Sequence, residues 1–305
     1  MACYLIAGAS GYVGARLAER LLAAGERVRG LVRNPDAPVV EQLAARGMTV
    51  WIGDLTHPTS LVGIADGVDF VYNLTSRLVI ENGSLQRTYV DGNQHLIAAC
   101  SRSRTVQRYI FTSNVAPYGH CGATLVSEDT PVAPQHPLGE VMVAAEQTLL
   151  HAAREHHFPA IILRCASLYG PGRDPVQAVA AGLATIYGDG RNFVAHIHIE
   201  DLLAVLLALP AHGQPGAIYN IGDDQPLRAL ALYSEIRQRL GMVPPRTVAP
   251  AAALAAGIDP TIVGMLSASV RLDNRRMKHD LPITLRYPSL MAWLDERLPL
   301  VEACV

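Results

Sequence analysis

Gly8-Ala9-Ser10-Gly11-Tyr12-Val13-Gly14 is the stretch on which the fold turns. It stands between a short apolar run, Cys3 to Ala7, and a helical pattern from Tyr12 to Ala24 with apolar positions at Val13, Leu17, Leu21 and Leu22. The run reads as a buried strand and the pattern as an amphipathic helix that Gly25 stops. Each glycine of the loop then has a physical role. Gly8 allows the tight turn, Gly11 lets the backbone approach a pyrophosphate, and Gly14 lets the helix pack close on the sheet, with the helix N-terminus facing the phosphates. A mere turn would not need three glycines at this spacing, and strand before with helix after makes the signal strong.

The same alternation continues outward. Val28–Val32, Thr49–Ile52, Phe70–Leu74, Arg108–Thr112 and Ala160–Arg164 read as strands. Val39–Arg46, Ser60–Ala65, Leu85–Ser101 and Val141–His156 read as helical. Strands alternating with helices predict an α/β fold, a doubly wound parallel sheet of Rossmann type. After Gly170-Pro171-Gly172 the rhythm changes. Val176–Ala184, Asp201–Leu209, Leu230–Leu240 and Ser289–Leu298 are expected as helices, with extended pieces at His196–Ile199 and Ala217–Ile221. The expected division is a dinucleotide-binding domain over 1–170, to which 196–222 returns, and a smaller mixed substrate domain over 171–305. The Ala- and Pro-rich stretch 244–260 is read as a loop or lid.

Composition narrows the class. The chain has 305 residues, half of them apolar and 17% charged, with a formal net charge of -2. Chains of this size bury roughly 75% of their unfolded surface, so a large core is available; low charge with high apolar content excludes intrinsic disorder. A near-neutral balance argues against nucleic acid as the main partner. The most apolar stretch, Leu202–Pro210, is about half of the ~20 residues a membrane span needs, so no membrane partner is expected. The first residues carry no basic segment and are not read as a signal peptide. Cys3, Cys100, Cys121, Cys165 and Cys304 are scattered, with neither disulfide nor zinc spacing. The expectation is a cytoplasmic enzyme of a small molecule, monomer or homodimer, with no metal.

The glycine loop implies a dinucleotide, and the end of the second strand suggests which one. A NAD site carries Asp or Glu roughly 20 residues on, for the ribose 2′-hydroxyl. Here the strand ends Leu31-Val32-Arg33-Asn34, and no carboxylate comes before Asp36. Arg33 can pair bidentately with a 2′-phosphate, so NADPH is the expected cofactor.

With further segments the chain resembles the extended short-chain dehydrogenase/reductase family (NAD-dependent epimerase/dehydratase-like). The matches are the glycine loop, Gly53-Asp54-Leu55, Tyr89-Val90-Asp91-Gly92-Asn93, Leu163 to Gly172, His198-Ile199-Glu200-Asp201-Leu202 and Tyr219-Asn220-Ile221-Gly222. The resemblance implies that Ser10, Tyr12 and Val13 join the glycines around the dinucleotide, and that Asp54 and Leu55 flank adenine. It places Leu74 and Thr75 along the nicotinamide ribose, Cys165 and Ser167 near the nicotinamide ring, and Met142 at the position of the lysine that holds the ribose.

The departures matter more. Aligned on Ala144-Ala145-Glu146-Gln147, the family's YxxxK pair falls on Leu138 and Met142, and neither can transfer a proton. The assisting serine or threonine becomes Asn114, preceded by Ser113, and the asparagine of the family's NVxGT element becomes Tyr89. In this respect the chain is similar to polyketide-pathway ketoreductases lacking that pair, whose substrates protonate themselves from an acidic phenol or enol. Two other rescues are open. Ser113 and Asn114 can hold an oxyanion while water gives the proton, or a displaced tyrosine, Tyr89, Tyr118 or Tyr169, can act as donor. Tyr118 can equally be a packed ring with a locally bonded hydroxyl. Lone loop histidines such as His120 and His136 are more often solvated than catalytic, and His196 with His198 share one strand face without a third metal ligand. The candidate catalytic set is Ser113, Asn114 and Tyr118; the candidate substrate wall is Tyr89, His136, Leu138 and Tyr169.

The leading expectation is NADPH-dependent reduction of a ketone on a hydrophobic, aromatic polyketide-type metabolite in antibiotic biosynthesis. The alternatives are a non-catalytic NADPH-binding sensor or scaffold, and a nucleotide-sugar epimerase or dehydratase.

Overall fold

A computed structural model describes residues 1–76 and 83–298; Cys304 lies outside them. Nine strands carry the argument: β1 (Cys3–Ala7), β2 (Arg27–Val32), β3 (Thr49–Ile52), β4 (Phe70–Asn73), β5 (Arg108–Asn114), β6 (Ala160–Cys165), β7 (Ser167–Tyr169), β8 (His196–His198) and β9 (Ile218–Ile221). Seven of them form one parallel sheet in the order β9-β6-β5-β4-β1-β2-β3. The order reverses at β1, which pairs with both β2 and β4. That reversal opens a crevice at the carboxyl ends of the strands. The α/β doubly wound Rossmann architecture is therefore as expected.

The helices that carry the argument are α1 (Tyr12–Ala23), α2 (Pro38–Ala45), α3 (Gly92–Ser103), α4 (Pro137–His156), α5 (Pro175–Ala180), α6 (Ile199–His212), α7 (Ala229–Arg239), α8 (Pro250–Ala255), α9 (Pro260–Ser267) and α10 (Leu290–Arg297). Strand side chains alternate between faces, and the two cores follow that alternation. Tyr4 and Ile6 of β1 pack with Leu17 and Leu21 of α1 and Leu203 and Leu206 of α6. Cys3, Leu5 and Ala7 pack on the other face with Leu96 of α3 and Ala145 and Leu149 of α4.

Three local readings are corrected. The expected helix Leu85–Ser101 is interrupted by a π turn over Arg87–Asp91, where the Asn93 amide donates to the Tyr89 carbonyl at 2.6 Å. Helix α4 begins at Pro137 rather than Val141. Pro137 needs no N–H partner at the first turn, and the His136 side chain accepts the Gly139 N–H. The stretch 244–260 is not plain loop. Thr247–Val248 pairs in parallel with Ile186–Tyr187, and α8 buries Ala253.

Beyond β6, a third core gathers Tyr169, Val176, Leu232, Ile236, Tyr287, Trp293 and Leu294. Two buried carboxylates stitch it to the sheet. Asp201 accepts the N–H groups of Arg286 and Tyr287 at 2.6 and 3.0 Å, and Asp223 accepts that of Leu290 at 3.1 Å. No helix among the described residues is long and apolar enough to cross a membrane.

Candidate active site

The crevice at the sheet's carboxyl edge is a cleft of about 1510 Å³. A pocket for one small molecule holds roughly 300–1,000 Å³, so this one has room for a dinucleotide and a second molecule. Its inner end is the glycine loop. Gly8 has φ +86°, and a Cβ there would press on the carbonyl of Leu74 and the N–H of Thr75 at 3.1–3.2 Å. A Cβ on Gly14 would collide with the Gly8 carbonyl, so Gly14 acts by close packing and stands behind the cleft wall. Helix α1 has no side-chain cap and no acidic residue in its first turn. Its first-turn N–H groups therefore face the cleft without a side-chain acceptor among the described residues, the electrostatics a diphosphate requires. The residues present fit a dinucleotide.

Gly8, Ser10, Gly11, Tyr12, Val13, Arg33, Asp54, Leu55, Leu74, Thr75, Met142, Cys165 and Ser167 all line this cleft. Arg33 is exposed just after β2, and its guanidinium has no hydrogen-bond partner among the described residues. Asp54 Oδ1 takes the Thr56 N–H and hydroxyl at 2.8 and 2.9 Å. Burial pushes that carboxyl up, but the Thr56 bonds and nearby Arg33 leave it below the usual range. The Leu74–Thr75 turn is held from below. Asn73 Oδ1 accepts the Thr75 N–H, while its amide donates to Asn93 Oδ1 at 3.0 Å, an oxygen that also takes the Tyr109 hydroxyl at 2.7 Å. Sequence reasoning missed this buried network. Asn93 stood inside a quoted motif, but Asn73 had no signal beyond ending an apolar run.

Around the expected hydride-transfer point the structure sorts the candidates. Asn114, at the end of β5, lines the cleft. Its Oδ1 accepts the Ala116 N–H at 2.8 Å, which fixes the amide's orientation and leaves Nδ2 as a donor without a partner among the described residues. Ser113 also reaches the cleft, but its hydroxyl donates to Glu146 Oε1 at 2.6 Å. Its proton is therefore turned inward, away from an oxyanion. Tyr118 is a correction. It is 1% exposed and outside the cleft lining; its hydroxyl donates to Asn220 Oδ1 at 2.7 Å, and its ring lies under the Arg164 guanidinium. Burial pushes its phenol up, with Arg164 opposing. Leu138 is corrected too: it packs in the core beneath α4 and does not line the cleft. Tyr89, His136 and Tyr169 do line it. The Tyr169 hydroxyl is buried without a partner among the described residues, and burial pushes its acidity far down. Burial raises the Cys165 thiol to about 12 and lowers His196 and His198 to about 4, so all three are neutral near pH 7. The described residues contain no cluster of metal-binding side chains.

A parallel sheet reversing at β1, with an uncapped glycine-loop helix at the reversal, defines a Rossmann protein of the extended short-chain dehydrogenase/reductase class. Residues 4–222 match the model of the NAD dependent epimerase/dehydratase family, and the chain belongs to that family. It is 30% identical over 244 residues to Protein YeeZ of Escherichia coli (strain K12), covering 77% of this chain and 83% of that one. The structure of DesIV, a dTDP-glucose 4,6-dehydratase from Streptomyces venezuelae with NAD and TYD bound, superposes with TM-score 0.80 at 21% identity, over 97% of this chain and 95% of that one. That likeness concerns the fold. MoeE5 in complex with UDP-glucose and NAD gives TM-score 0.76 at 25% identity, over 94% of each chain. These names favour the nucleotide-sugar alternative over the polyketide ketoreductase, and they show NAD where the sequence led to an expectation of NADPH.

Proposed function

We propose that this chain is a nicotinamide-dinucleotide-dependent oxidoreductase that reduces a carbonyl carbon held between Asn114 and the Cys165–Ser167 edge. The observation that carries the reading is the Asn114 amide. It sits at the position of the family's assisting hydroxyl, its orientation is fixed, and its N–H donors face a cleft whose dinucleotide cradle is intact. The bound dinucleotide would supply the hydride; the protein must position the carbonyl and hold the charge that develops on its oxygen. Leu138 and Met142 provide neither a base nor a cation, which favours reduction over the oxidation of an alcohol.

The relatives support a nucleotide-linked sugar as the substrate class. The outer cleft wall, with Leu183, Ile186, Phe193, Val194, Met265 and Leu266, supports a flat apolar carbonyl compound. The exposed Arg33 at the end of β2 supports NADPH, and the NAD-bound neighbours support NADH. One experiment addresses both questions: calorimetric titration of the full chain with NADPH and NADH, followed by absorbance at 340 nm with dTDP-glucose, UDP-glucose and 9,10-phenanthrenequinone. Dinucleotide binding with oxidation of the reduced form by the quinone supports the carbonyl reading. Conversion of a sugar nucleotide with tightly retained NAD moves the chain to the epimerase or dehydratase reading. Binding without any turnover is the result a sensor or scaffold gives.

A further inference from the structure

Loss of the family's tyrosine leaves Asn114 as the oriented amide donor at the end of β5. The element that would carry the tyrosine is the first turn of α4, and the residue before that turn is His136. His136 is 5% exposed and lines the cleft. It caps α4: its Nδ1 accepts the Gly139 N–H at 3.3 Å. A nitrogen that accepts a hydrogen bond carries no proton, so in the neutral ring the proton is on Nε2. Two environments keep the ring neutral. Burial lowers its basicity, with Glu140 opposing, and a helix N-terminus disfavours an imidazolium. Nε2–H has no partner among the described residues.

The neighbours of the ring tie its place to that of Asn114. Gly264 of α9 lies against its other edge; a Cβ there would come within 3.0–3.3 Å of His136 Cδ2, Cβ and Cγ. Gly139 abuts the Ala116 carbonyl so closely that a Cβ would sit 2.8 Å from it, and Ala116 is the residue whose N–H orients Asn114. Asn114 and His136 are thus joined through Ala116 and Gly139, and both face the same cleft.

We propose that His136 Nε2–H and Asn114 Nδ2–H together form the oxyanion site that replaces the tyrosine, with His136 acting as a neutral polarising donor. The proposal rests on the carbonyl-reduction reading above. As the carbonyl carbon takes the hydride, the C–O π pair moves onto oxygen. The two N–H dipoles hold the resulting alkoxide, and a cleft water gives it a proton, releasing hydroxide to the solvent. Neither side chain ionises. Helix α9, closing on His136 through Gly264, keeps the ring out of bulk water, where its hydrogen bond would count for less.

The test uses the full chain with NADPH or NADH and 9,10-phenanthrenequinone as probe carbonyl. His136→Phe lowers kcat per folded molecule by about 10²–10³, the usual cost of one oxyanion donor, with dinucleotide affinity little changed and the melting temperature lowered by the lost α4 cap. His136→Gln, which keeps an N–H of similar reach, recovers part of the loss. Gly264→Ala shifts the ring while keeping the imidazole itself and lowers kcat in the same direction, which covers the case of a His136→Phe chain that does not fold. Independently of turnover, long-range ¹H–¹⁵N spectra of histidine-labelled protein at pH 7 show the His136 proton on Nε2. A His136→Phe chain within twofold of wild-type kcat, or a proton on Nδ1, overturns the proposal while leaving the carbonyl reading standing. A wild-type chain that binds the dinucleotide and reduces nothing removes both.

Discussion

The Ser113 hydroxyl donates to Glu146 Oε1 at 2.6 Å, and Arg164 grips the same carboxylate from the far side with Nε and Nη2 at 3.1 and 2.7 Å. All three residues are at most 4% exposed. The carboxylate locks the end of β5 to α4 and to β6, and so sets the height of Asn114 above the cleft. Breaking one partner of a buried ion pair costs about 3–5 kcal/mol, because the other charge is left without compensation. Arg164→Ala is therefore expected to lower stability by that amount in urea unfolding, far more than a surface arginine would. A loss under about 1 kcal/mol would show that water reaches the pair.

Tyr118 gives a prediction of opposite kind. Its hydroxyl serves Asn220 Oδ1, whose own amide donates to the carbonyls of Val126 and Asp273. Tyr118→Phe leaves that buried oxygen unsatisfied and costs about 1–3 kcal/mol of stability. Turnover per folded molecule stays as in wild type. A tenfold fall in kcat at unchanged stability would return Tyr118 to the catalytic set.

Asp223 sets a pH dependence. Burial raises its carboxyl to about 8, against bonds from the Gln225 and Leu290 N–H groups that lower it. The folded chain then keeps a proton that the unfolded chain has released, so this contribution to stability is lost as pH rises toward 8. Between pH 7 and 8.5 the unfolded histidines, whose ordinary pKa is about 6.5, are mostly deprotonated and contribute less slope than Asp223. The melting temperature of the wild type should fall across that window, and that of Asp223→Asn should stay flat. Parallel curves for the two proteins would contradict the assignment.

Arg33 decides between the two dinucleotides. Exposed just after β2, in the lining of the cleft, it can meet a 2′-phosphate with a bidentate pair. Arg33→Ala should weaken NADPH at least tenfold, about 1.4 kcal/mol, and leave NADH within twofold. Equal weakening of both, or tighter NADH in the wild type, would assign the pocket to NAD.

Much of the architecture was legible in the residues. The glycine loop, the strand-helix alternation and the strand ends at Ala7, Val32 and Ile52 came out where the side-chain pattern put them. Those are local properties: the period of apolar positions is written along the chain, and a glycine at φ +86° or against a neighbouring carbonyl is required by sterics within a few residues. The cofactor end of the cleft is built from such segments. Polar partnerships were decided elsewhere. Ser113 meets Glu146 across 33 residues, Tyr118 meets Asn220 across 102, and Asp223 meets Leu290 across 67. Which hydroxyl gives its proton to the core and which donor faces the cleft depends on strands and helices brought together from distant parts of the chain. The apolar period places a side chain on a face; only the packed neighbours determine where its hydrogen bond goes.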